Sequence, residues 1–179
     1  MGHGTLAAED LRRLLAAAGI DTVVDVRSFP GSRRHPHFGR DQLEAWLPAA
    51  GIEYRWEKDL GGFRKPAPDS PNQALRHPSF RGYADHMASA AFGTALDRLI
   101  DLAGRRRTAV MCSESLWWRC HRRLLSDALV LWRGAAVTHL AHDGRRQAHR
   151  LTDGVRPGDG GGPPVYDVGV TPPLPAAEG

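Results

Sequence analysis

The sequence predicts an α/β fold, a single three-layer domain with a mainly parallel sheet and helices on both faces. Three observations predict it. Helical and strand-like segments alternate along the first 140 residues, and such alternation is typical of parallel strands joined by crossover helices. The first strand-like segment is rich in β-branched residues. A chain of 179 residues is also long enough to bury one substantial core.

The first third of the chain supplies two helices and two strands. Leucines at helical spacing predict an amphipathic first helix, with Thr5 as its N-cap and Gly19 ending it in the left-handed conformation. Prolines and glycines indicate a loop after the first strand. In order, the predicted elements are a helix over 6–18, a strand over 21–27, a loop over 28–40, a helix over 41–50 and a strand over 52–56.

The remainder is predicted as an irregular segment followed by alternating helices and strands. The last helix has a buried stripe of apolar residues at helical spacing. Glycine and proline become frequent after Gly154, so we expect a domain over 1–153 and a flexible tail over 154–179. The predicted elements are an irregular segment over 58–79, helices over 80–88 and 92–103, a strand over 107–112, a helix over 117–132 and a strand over 135–140.

Composition limits the classes of function. No apolar run approaches the ~20 residues of a membrane span, and no secretory signal is visible. Two cysteines fit a reducing compartment, so we expect a cytoplasmic protein without a disulfide scaffold. A net charge of +4, from 22 arginines and two lysines among the basic residues, is compatible with an anionic small molecule or nucleic acid as partner, or with a solvated basic surface. Oligomeric state is not predicted.

The stretch 108–125 is the most informative part of the chain. A predicted strand leads directly into a loop and then into the last helix. In open α/β sheets, ligands bind where a strand's carboxyl end meets the next helix. A carboxylate, two thiols, an imidazole and guanidiniums at that place indicate a functional site. These residues are Cys112, Glu114, Arg119, Cys120, His121 and Arg122.

Glu114, Cys112 and His121 are the candidate catalytic residues. Glu114 lies just past a buried strand, where burial would raise its pKa and neighbouring arginines would lower it. A carboxylate there could serve as general acid, general base or nucleophile toward a sugar carbon. Alternatively, Glu114 only forms an ion pair with Arg119 or Arg122 that fixes the loop.

Six arginines are candidate ligands for an anion. Arg27 shares one face of the first strand with Asp25, and we expect a structural role for Asp25 and a ligand role for Arg27. Arginines at the start of the last helix would add to the free backbone N–H groups and the helix dipole, which favour an anion. The alternative is that half of the arginines face solvent. The six are Arg27, Arg33, Arg64, Arg81, Arg119 and Arg122.

Cysteines beside a histidine also raise metal and redox hypotheses. Cys112, Cys120 and His121 follow a Cys-x7-Cys-His spacing, which matches no common structural zinc pattern, and no fourth ligand is evident. The sequence therefore predicts no metal and assigns no cofactor. A redox pair is an alternative, because a thiol near a helix N-terminus and arginines has a lowered pKa. The other alternative is that both cysteines are buried and chemically inert. A fourth metal ligand could come through the fold from His3, His35 or His37.

Several aromatic residues could stack on a base or sugar, or simply form core. Trp117 and Trp118 are adjacent, so we expect one to pack inward and the other to lie near the site. The complete set is Phe63, Phe80, Tyr83, Trp117 and Trp118.

The chain resembles an uncharacterised bacterial family, domain of unknown function 488, over residues 2–152. The motifs that carry the resemblance are Gly2-His3-Gly4, Val24-Asp25-Val26-Arg27, Gly51-Ile52-Glu53-Tyr54, Leu60-Gly61-Gly62, Phe80-Arg81-Gly82-Tyr83-Ala84, Met111-Cys112-Ser113-Glu114 and Cys120-His121-Arg122. The resemblance implies a compact, Rossmann-like α/β domain. It implies no agreed activity, so function must be argued from the site. Family members usually have a short strand before the Gly-His pair, so we expect the first strand to be clipped.

Three functions fit these observations. The first is an enzyme on a nucleotide or nucleic-acid substrate, with Glu114 as acid, base or nucleophile and arginines binding phosphate. The second is a module that binds an anion or nucleic acid without turning it over. The third is a metal or redox protein based on the cysteines and His121.

Overall fold

The computed structural model describes residues 1–31 and 34–170. Its helices are α1 (Ala8–Ala17), α2 (Arg40–Ala49), α3 (Pro78–Met87), α4 (Ala90–Ala103) and α5 (Arg122–Arg133). Its strands are β1 (Thr22–Asp25), β2 (Glu53–Trp56), β3 (Thr108–Met111), β4 (Thr138–Leu140), β5 (Arg146–Ala148), β6 (Val155–Arg156) and β7 (Val165–Tyr166). None of the described helices is long and apolar enough to cross a membrane.

The central sheet has three parallel strands in the order β2-β1-β3. Thr22 of β1 pairs with Glu53 on one side and Thr108 on the other, so the three strands start and end together. Beyond β3, Gly2 forms a parallel bridge with Cys112. Because the strands are parallel, the loops that follow β1, β2 and β3 emerge at one edge of the sheet.

Alternate residues of the strands face two separate hydrophobic cores. Val24 of β1 faces the core built with α3, α4 and α5. Val23 and Met111 face the other core, built with α1 and α2. Successive side chains of a strand point to opposite faces, so this division puts helices on both sides of the sheet. The α/β class is confirmed, whereas three parallel strands leave the Rossmann-like arrangement a prediction.

The predicted helices and parallel strands are largely present, with bounds shifted by a few residues. Gly19 ends the first helix with φ +67°, as expected. The expected cap is wrong: the residue preceding α1 is Ala7, and no side chain caps the helix. The predicted strand near 135–140 does not join the parallel sheet. It forms β4, which pairs antiparallel with β5 because a tight turn at Gly144, with φ +81°, folds the chain straight back.

The predicted helix over 117–132 is interrupted. A short 3-10 turn covers Trp117–Arg119, and the backbone of Cys120 is extended (φ −124°, ψ 153°). The helix α5 starts only at Arg122. This break turns Cys120 inward, where it is buried, because a continuous helix would carry the chain away from the end of β3.

Residues after Gly154 differ from the predicted flexible tail. They form the β6–β7 hairpin, in which Tyr166 is fully buried. Its backbone N–H donates to Asn72 Oδ1 at 3.0 Å, and its carbonyl accepts from Ala74 N–H at 2.9 Å. Composition alone misses this docking because a single buried aromatic residue holds the hairpin. Residues 171–179 lie outside the described residues.

A buried carboxylate on α5 joins the C-terminal segments to the rest of the protein. Asp127 accepts from Tyr166 Oη at 2.8 Å, from His149 Nε2 at 2.9 Å and from Thr152 N–H at 3.0 Å. His149 Nδ1 in turn lies 2.9 Å from His139 Nε2. Asp127 has no solvent exposure, so each donor depends on it for a partner.

Asp127→Ala should destabilise the protein by about 3 kcal/mol or more, because it leaves three buried donors without an acceptor. Urea unfolding measures this free energy. Asp97→Ala is the matched control: Asp97 is exposed and pairs with Arg133 at 2.7 Å, so its loss should cost less than ~1 kcal/mol. Equal effects of the two substitutions would contradict the assigned role of Asp127.

Buried histidines should make the protein less stable in mild acid. Burial lowers the pKa of His3 to about 4, and burial together with the neighbouring His149 lowers the pKa of His139 to about 3. The unfolded chain binds protons below pH ~6.5 while the folded protein does not, so stability falls as the pH drops from ~6.5 toward 4. Each histidine contributes a slope of up to about 1.4 kcal/mol per pH unit.

The unfolding free energy of the wild type and of His139→Gln, measured between pH 7 and 5, checks this. The unfolding free energy of the variant should fall less steeply with decreasing pH, by the equivalent of up to about one proton. Identical slopes would show that His139 has the same pKa in the folded protein as in the unfolded chain.

Candidate functional site

An open cleft of about 800 Å³ lies at the edge of the sheet where the parallel strands end. The loops after β1 and β3 form two of its walls, and the N-terminal segment and the Gly62–Phe63 segment after β2 complete it. A mostly apolar cavity of about 190 Å³ lies elsewhere, beside β3, and is lined by Leu99, Val110 and Leu125 among others. All the chemistry-bearing residues of the stretch 108–125 except Arg122 line the strand-end cleft, so this cleft is the candidate site.

Two thiols and an imidazole meet at the cleft. Cys112 follows β3, whereas Cys120 and His121 directly precede α5. His121 Nδ1 lies 3.6 Å from Cys120 Sγ and 3.9 Å from Cys112 Sγ. The three reactive atoms all lie within 4.8 Å of one another. We call these residues the thiol–imidazole cluster; it unites two of the three predicted catalytic residues with Cys120.

The orientation of the His121 ring is fixed from its far side. Nε2 lies 3.0 Å from the carbonyl oxygen of Val26. A carbonyl only accepts, so Nε2 carries the proton and donates, and Nδ1 presents its lone pair to both thiols. Gly62 packs against the ring, and a Cβ at that position would lie 2.8 Å from Nδ1. A glycine is therefore required there for the ring to keep this position.

The two thiols have different acidities. A hydrogen bond from Cys112 and the positive charge of Arg122 lower the pKa of Cys120 to about 6. The same hydrogen bond, together with burial, raises the pKa of Cys112 to about 12. Arg122 Nε–H also donates to Cys120 Sγ at 3.4 Å. Cys120 is therefore the thiol that loses its proton first.

A buried ion pair supports the end of β1. Arg27 Nε donates to Asp25 Oδ1 at 2.8 Å, and both side chains are almost fully buried. Tyr54 Oη donates to Asp25 Oδ2 at 2.8 Å, and Arg27 Nη2 donates to the Phe38 carbonyl at 2.9 Å. Burial, followed by the Asp25 charge, raises the pKa of Tyr54. In this arrangement Asp25 has a structural role. Most of the N–H groups of Arg27 donate hydrogen bonds to other groups of the protein.

Glu114 lies in the wall of the cleft and is exposed. Its Oε1 accepts from the Leu116 N–H at 3.2 Å, and its backbone carbonyl accepts from Arg122 Nη2. Among the described residues its carboxylate forms no ion pair, so the alternative of a pair with Arg119 or Arg122 does not describe this structure. The side chain of Glu114 is open to a ligand in the cleft.

Of the five predicted anion-binding arginines that the structure describes, two line the cleft. Arg27 and Arg119 line the cleft, as does Arg34, which was not among the six. The remaining three that are described do not line it. Arg64 contacts the Gly62 carbonyl and His86, Arg81 donates to Gln73 Oε1 at 3.4 Å, and Arg122 is buried beneath the loop. Arg33 lies outside the described residues.

Two exposed phenylalanines stand at the cleft. Phe29 is 75% exposed and Phe63 is 87% exposed. Phe63 has φ +70°, a conformation that a bulky residue rarely adopts and that is typical of functional segments. Phe80 also lines the cleft.

The other aromatic candidates do not line the cleft, although the Tyr83 ring packs against His121 with their centroids 5.1 Å apart. Tyr83 is buried and donates to the Leu60 carbonyl at 3.0 Å. Trp117 stacks on His139 at 4.0 Å. Trp118 is 47% exposed but does not line the cleft, so the expectation that one of the two tryptophans lies near the site is wrong.

Sequence reasoning missed the role of the N-terminal segment. His3 lines the cleft although it is only 2% exposed, and its Nε2 lies 3.4 Å from Arg27 Nη1. Gly2 packs flat on the 113–115 loop, where a Cβ would overlap the Glu114 carbonyl. The Gly-His-Gly motif was the available signal, but its target lies more than 100 residues away along the chain.

This arrangement supports two kinds of chemistry. The thiols can react directly, with His121 Nδ1 accepting a proton. Two sulfurs and one imidazole nitrogen are also ligands that a borderline-soft metal ion prefers. Both depend on the same three atoms, whose residues line the open cleft.

Comparison with known proteins gives one match. The family model described as domain of unknown function DUF488 matches residues 7–129, a range that contains β1, β2, β3 and the whole cluster. No curated protein and no solved structure matches the chain. The matched range covers more than half of the 179 residues, so the chain belongs to the DUF488 family.

Proposed function

We propose that this protein is an enzyme that acts on a small anionic molecule bound in the strand-end cleft, with the thiol–imidazole cluster as its reactive centre. One observation carries the proposal. Cys112, Cys120 and His121 come from two different elements and bring their reactive atoms together where the cleft is open. Buried thiols with a purely structural role would not need an imidazole lone pair aimed at both sulfurs.

An anionic substrate is supported by the charges at the cleft. Arg34 and Arg119 are exposed and line it, while Asp25 neutralises Arg27. Guanidinium groups bind phosphates and carboxylates through paired hydrogen bonds. Two free arginines beside a reactive cluster would hold such a group and orient the rest of the molecule toward the sulfurs.

A small molecule is a better fit than nucleic acid. Many arginines outside the cleft form ion pairs with neighbouring carboxylates, which reduces the positive potential that a nucleic-acid surface requires. The paired arginines are Arg12, Arg13, Arg40, Arg55, Arg98, Arg133, Arg145 and Arg156. The basic composition therefore does not by itself favour a polymer.

The exposed phenylalanines favour a substrate that has a planar or apolar part as well as an anionic group. Phe29 and Phe63 leave most of their ring surface in water, and the backbone strain at Phe63 needs a compensating role. A substrate with a planar or apolar part would cover these rings. Nucleotides, which the sequence suggested, and aromatic acids carry both an anionic group and a planar ring.

Glu114 keeps a role as proton carrier in this proposal. Its carboxylate is exposed in the same cleft wall, and a carboxylate within reach of a reacting group can accept or donate a proton. The cysteines must stay reduced to react, so the proposal requires a reducing compartment such as the cytoplasm.

A thermal-shift screen with nucleotides, sugar phosphates and aromatic carboxylates tests the proposal. A ligand at about 100 times its Kd should stabilise the protein by ~2.7 kcal/mol and raise the Tm by several degrees. Arg119→Ala should weaken binding about 10-fold or more, through loss of a charged hydrogen bond. Arg145→Ala, which removes an exposed arginine paired with Asp143, is the control and should bind normally.

Once a ligand is identified, Cys112→Ser shows whether the protein is an enzyme or a binding module. The substitution removes one sulfur and little volume, so binding should stay within about 3-fold of the wild type while turnover is lost. Undiminished turnover in both Cys112→Ser and Cys120→Ser, the second of which removes the more acidic thiol, would exclude the cluster as the reactive centre. Binding without any turnover in the wild type would identify a binding module instead.

A further inference from the structure

We propose that the thiol–imidazole cluster is a binding site for Zn²⁺ or a similar borderline-soft divalent ion. The ligands are Cys112 Sγ, Cys120 Sγ and His121 Nδ1, and the fourth position opens to the cleft. Metal binding is inferred from the geometry of the cluster alone. Only the catalytic use of the ion rests on the proposed function.

The distances fit a tetrahedral ion. With zinc–sulfur bonds of about 2.3 Å and zinc–nitrogen bonds of about 2.0–2.1 Å, the sulfur-to-nitrogen edge of a tetrahedron is about 3.6 Å. The corresponding distances are 3.6 Å from His121 Nδ1 to Cys120 Sγ and 3.9 Å to Cys112 Sγ. Both sulfur-to-nitrogen distances lie close to this edge, and all three ligand atoms lie within 4.8 Å of one another.

Outer contacts orient the ligands as they do in metal sites. A metal-binding histidine commonly donates its second ring N–H to a backbone carbonyl or a carboxylate, which fixes the tautomer. His121 does this toward the Val26 carbonyl at 3.0 Å. Arg122 Nε–H donates to Cys120 Sγ at 3.4 Å, and its charge would offset part of the negative charge of a sulfur-ligated ion.

Three protein ligands correspond to a catalytic site rather than a structural one. Structural zinc sites are closed by four protein ligands, whereas catalytic sites keep one position for water or substrate. All three ligand residues line the cleft, so water or a substrate atom can reach the fourth position. This also explains why the Cys-x7-Cys-His spacing matches no structural zinc pattern, and why the sequence predicted no metal.

An ion at this position gives the cleft a hydrolytic chemistry. Zinc lowers the pKa of a bound water molecule to about 7. Glu114, in the wall of the same cleft, would take the proton of that water as it attacks an electrophilic carbon or phosphorus of the substrate. The attacking oxygen forms the new bond, and the leaving group departs with the proton that Glu114 carried. This step adds the elements of water to the substrate and needs no oxidant.

The experiment uses the full chain, reduced and stripped of metal with a chelator. Titration with Co²⁺ should give thiolate-to-cobalt absorption that saturates at one ion per chain, and Zn²⁺ should displace it. Cys120→Ser, Cys112→Ser and His121→Ala should each weaken the affinity about 10-fold to 100-fold or more, as expected for the loss of a ligand. Circular dichroism shows whether each variant is folded. If His121→Ala does not fold, His121→Gln is measured in its place.

Arg119→Ala is the control, because it changes the cleft without removing a ligand. It should bind Co²⁺ as the wild type does while losing affinity for an anionic ligand. The two proposals can therefore fail separately. Stoichiometric metal without any anionic ligand would overturn only the proposed function.

Turnover that persists in metal-free protein would overturn the catalytic use of the ion and leave direct thiol chemistry. The metal site itself would be overturned if no ion bound stoichiometrically. It would also be overturned if the cysteine variants bound Co²⁺ as tightly as the wild type, or if the stripped protein only formed a Cys112–Cys120 disulfide.

Discussion

The hydrogen bond from His121 Nε2 to the Val26 carbonyl, at 3.0 Å, is the contact on which the site depends. It links residues 95 positions apart and joins the start of α5 to the end of β1. It also decides which ring nitrogen is free. If the proton were on Nδ1, the ring would present a donor to the thiols and could not bind a metal through that atom. The reactivity of the two sulfurs therefore depends on the backbone at the end of β1, which fixes the proton of His121 on Nε2.

The fold supports this contact with polar groups that are buried at the strand ends. The Asp25–Arg27 pair, braced by Tyr54, holds the chain just where Val26 presents its carbonyl. A buried ion pair is weak evidence for stability, because desolvation offsets much of the attraction. Its value here is positional: the pair fixes the direction of the backbone that leaves β1. Asp127 performs a similar task farther along α5, where it docks the C-terminal segments on that helix.

Local sequence signals predicted the parts of the site but not their assembly. The apolar strand followed by Cys112, Cys120 and His121 was sufficient to predict a candidate site at a strand end. The partner of His121 could not be predicted, because the contact is made by a backbone carbonyl, which is common to all residues. The same holds for Gly62, whose missing side chain leaves room for the ring.

The errors have physical causes of the same kind. Charge led to the expectation that Arg64 and Arg81 would bind an anion, yet neither lines the cleft, and each bonds to groups of the protein. Glycine and proline content indicated a flexible tail after Gly154, whereas the buried Tyr166 docks the part of it that the structure describes, residues 155–170. Amino-acid composition describes a segment only on average. Individual long-range contacts decide whether a given arginine lines the cleft and whether a segment docks on the core.

The tautomer of His121 tests the account most directly. A long-range ¹H–¹⁵N NMR spectrum of the reduced, metal-free protein, with His121→Gln to assign the resonances, reports which nitrogen carries the proton. The account predicts a proton on Nε2 and an unprotonated Nδ1. One equivalent of Zn²⁺ should then shift Nδ1 while Nε2 keeps its proton. A proton on Nδ1, or zinc bound through Nε2, would contradict the orientation of the ring and with it the assignment of the reactive centre.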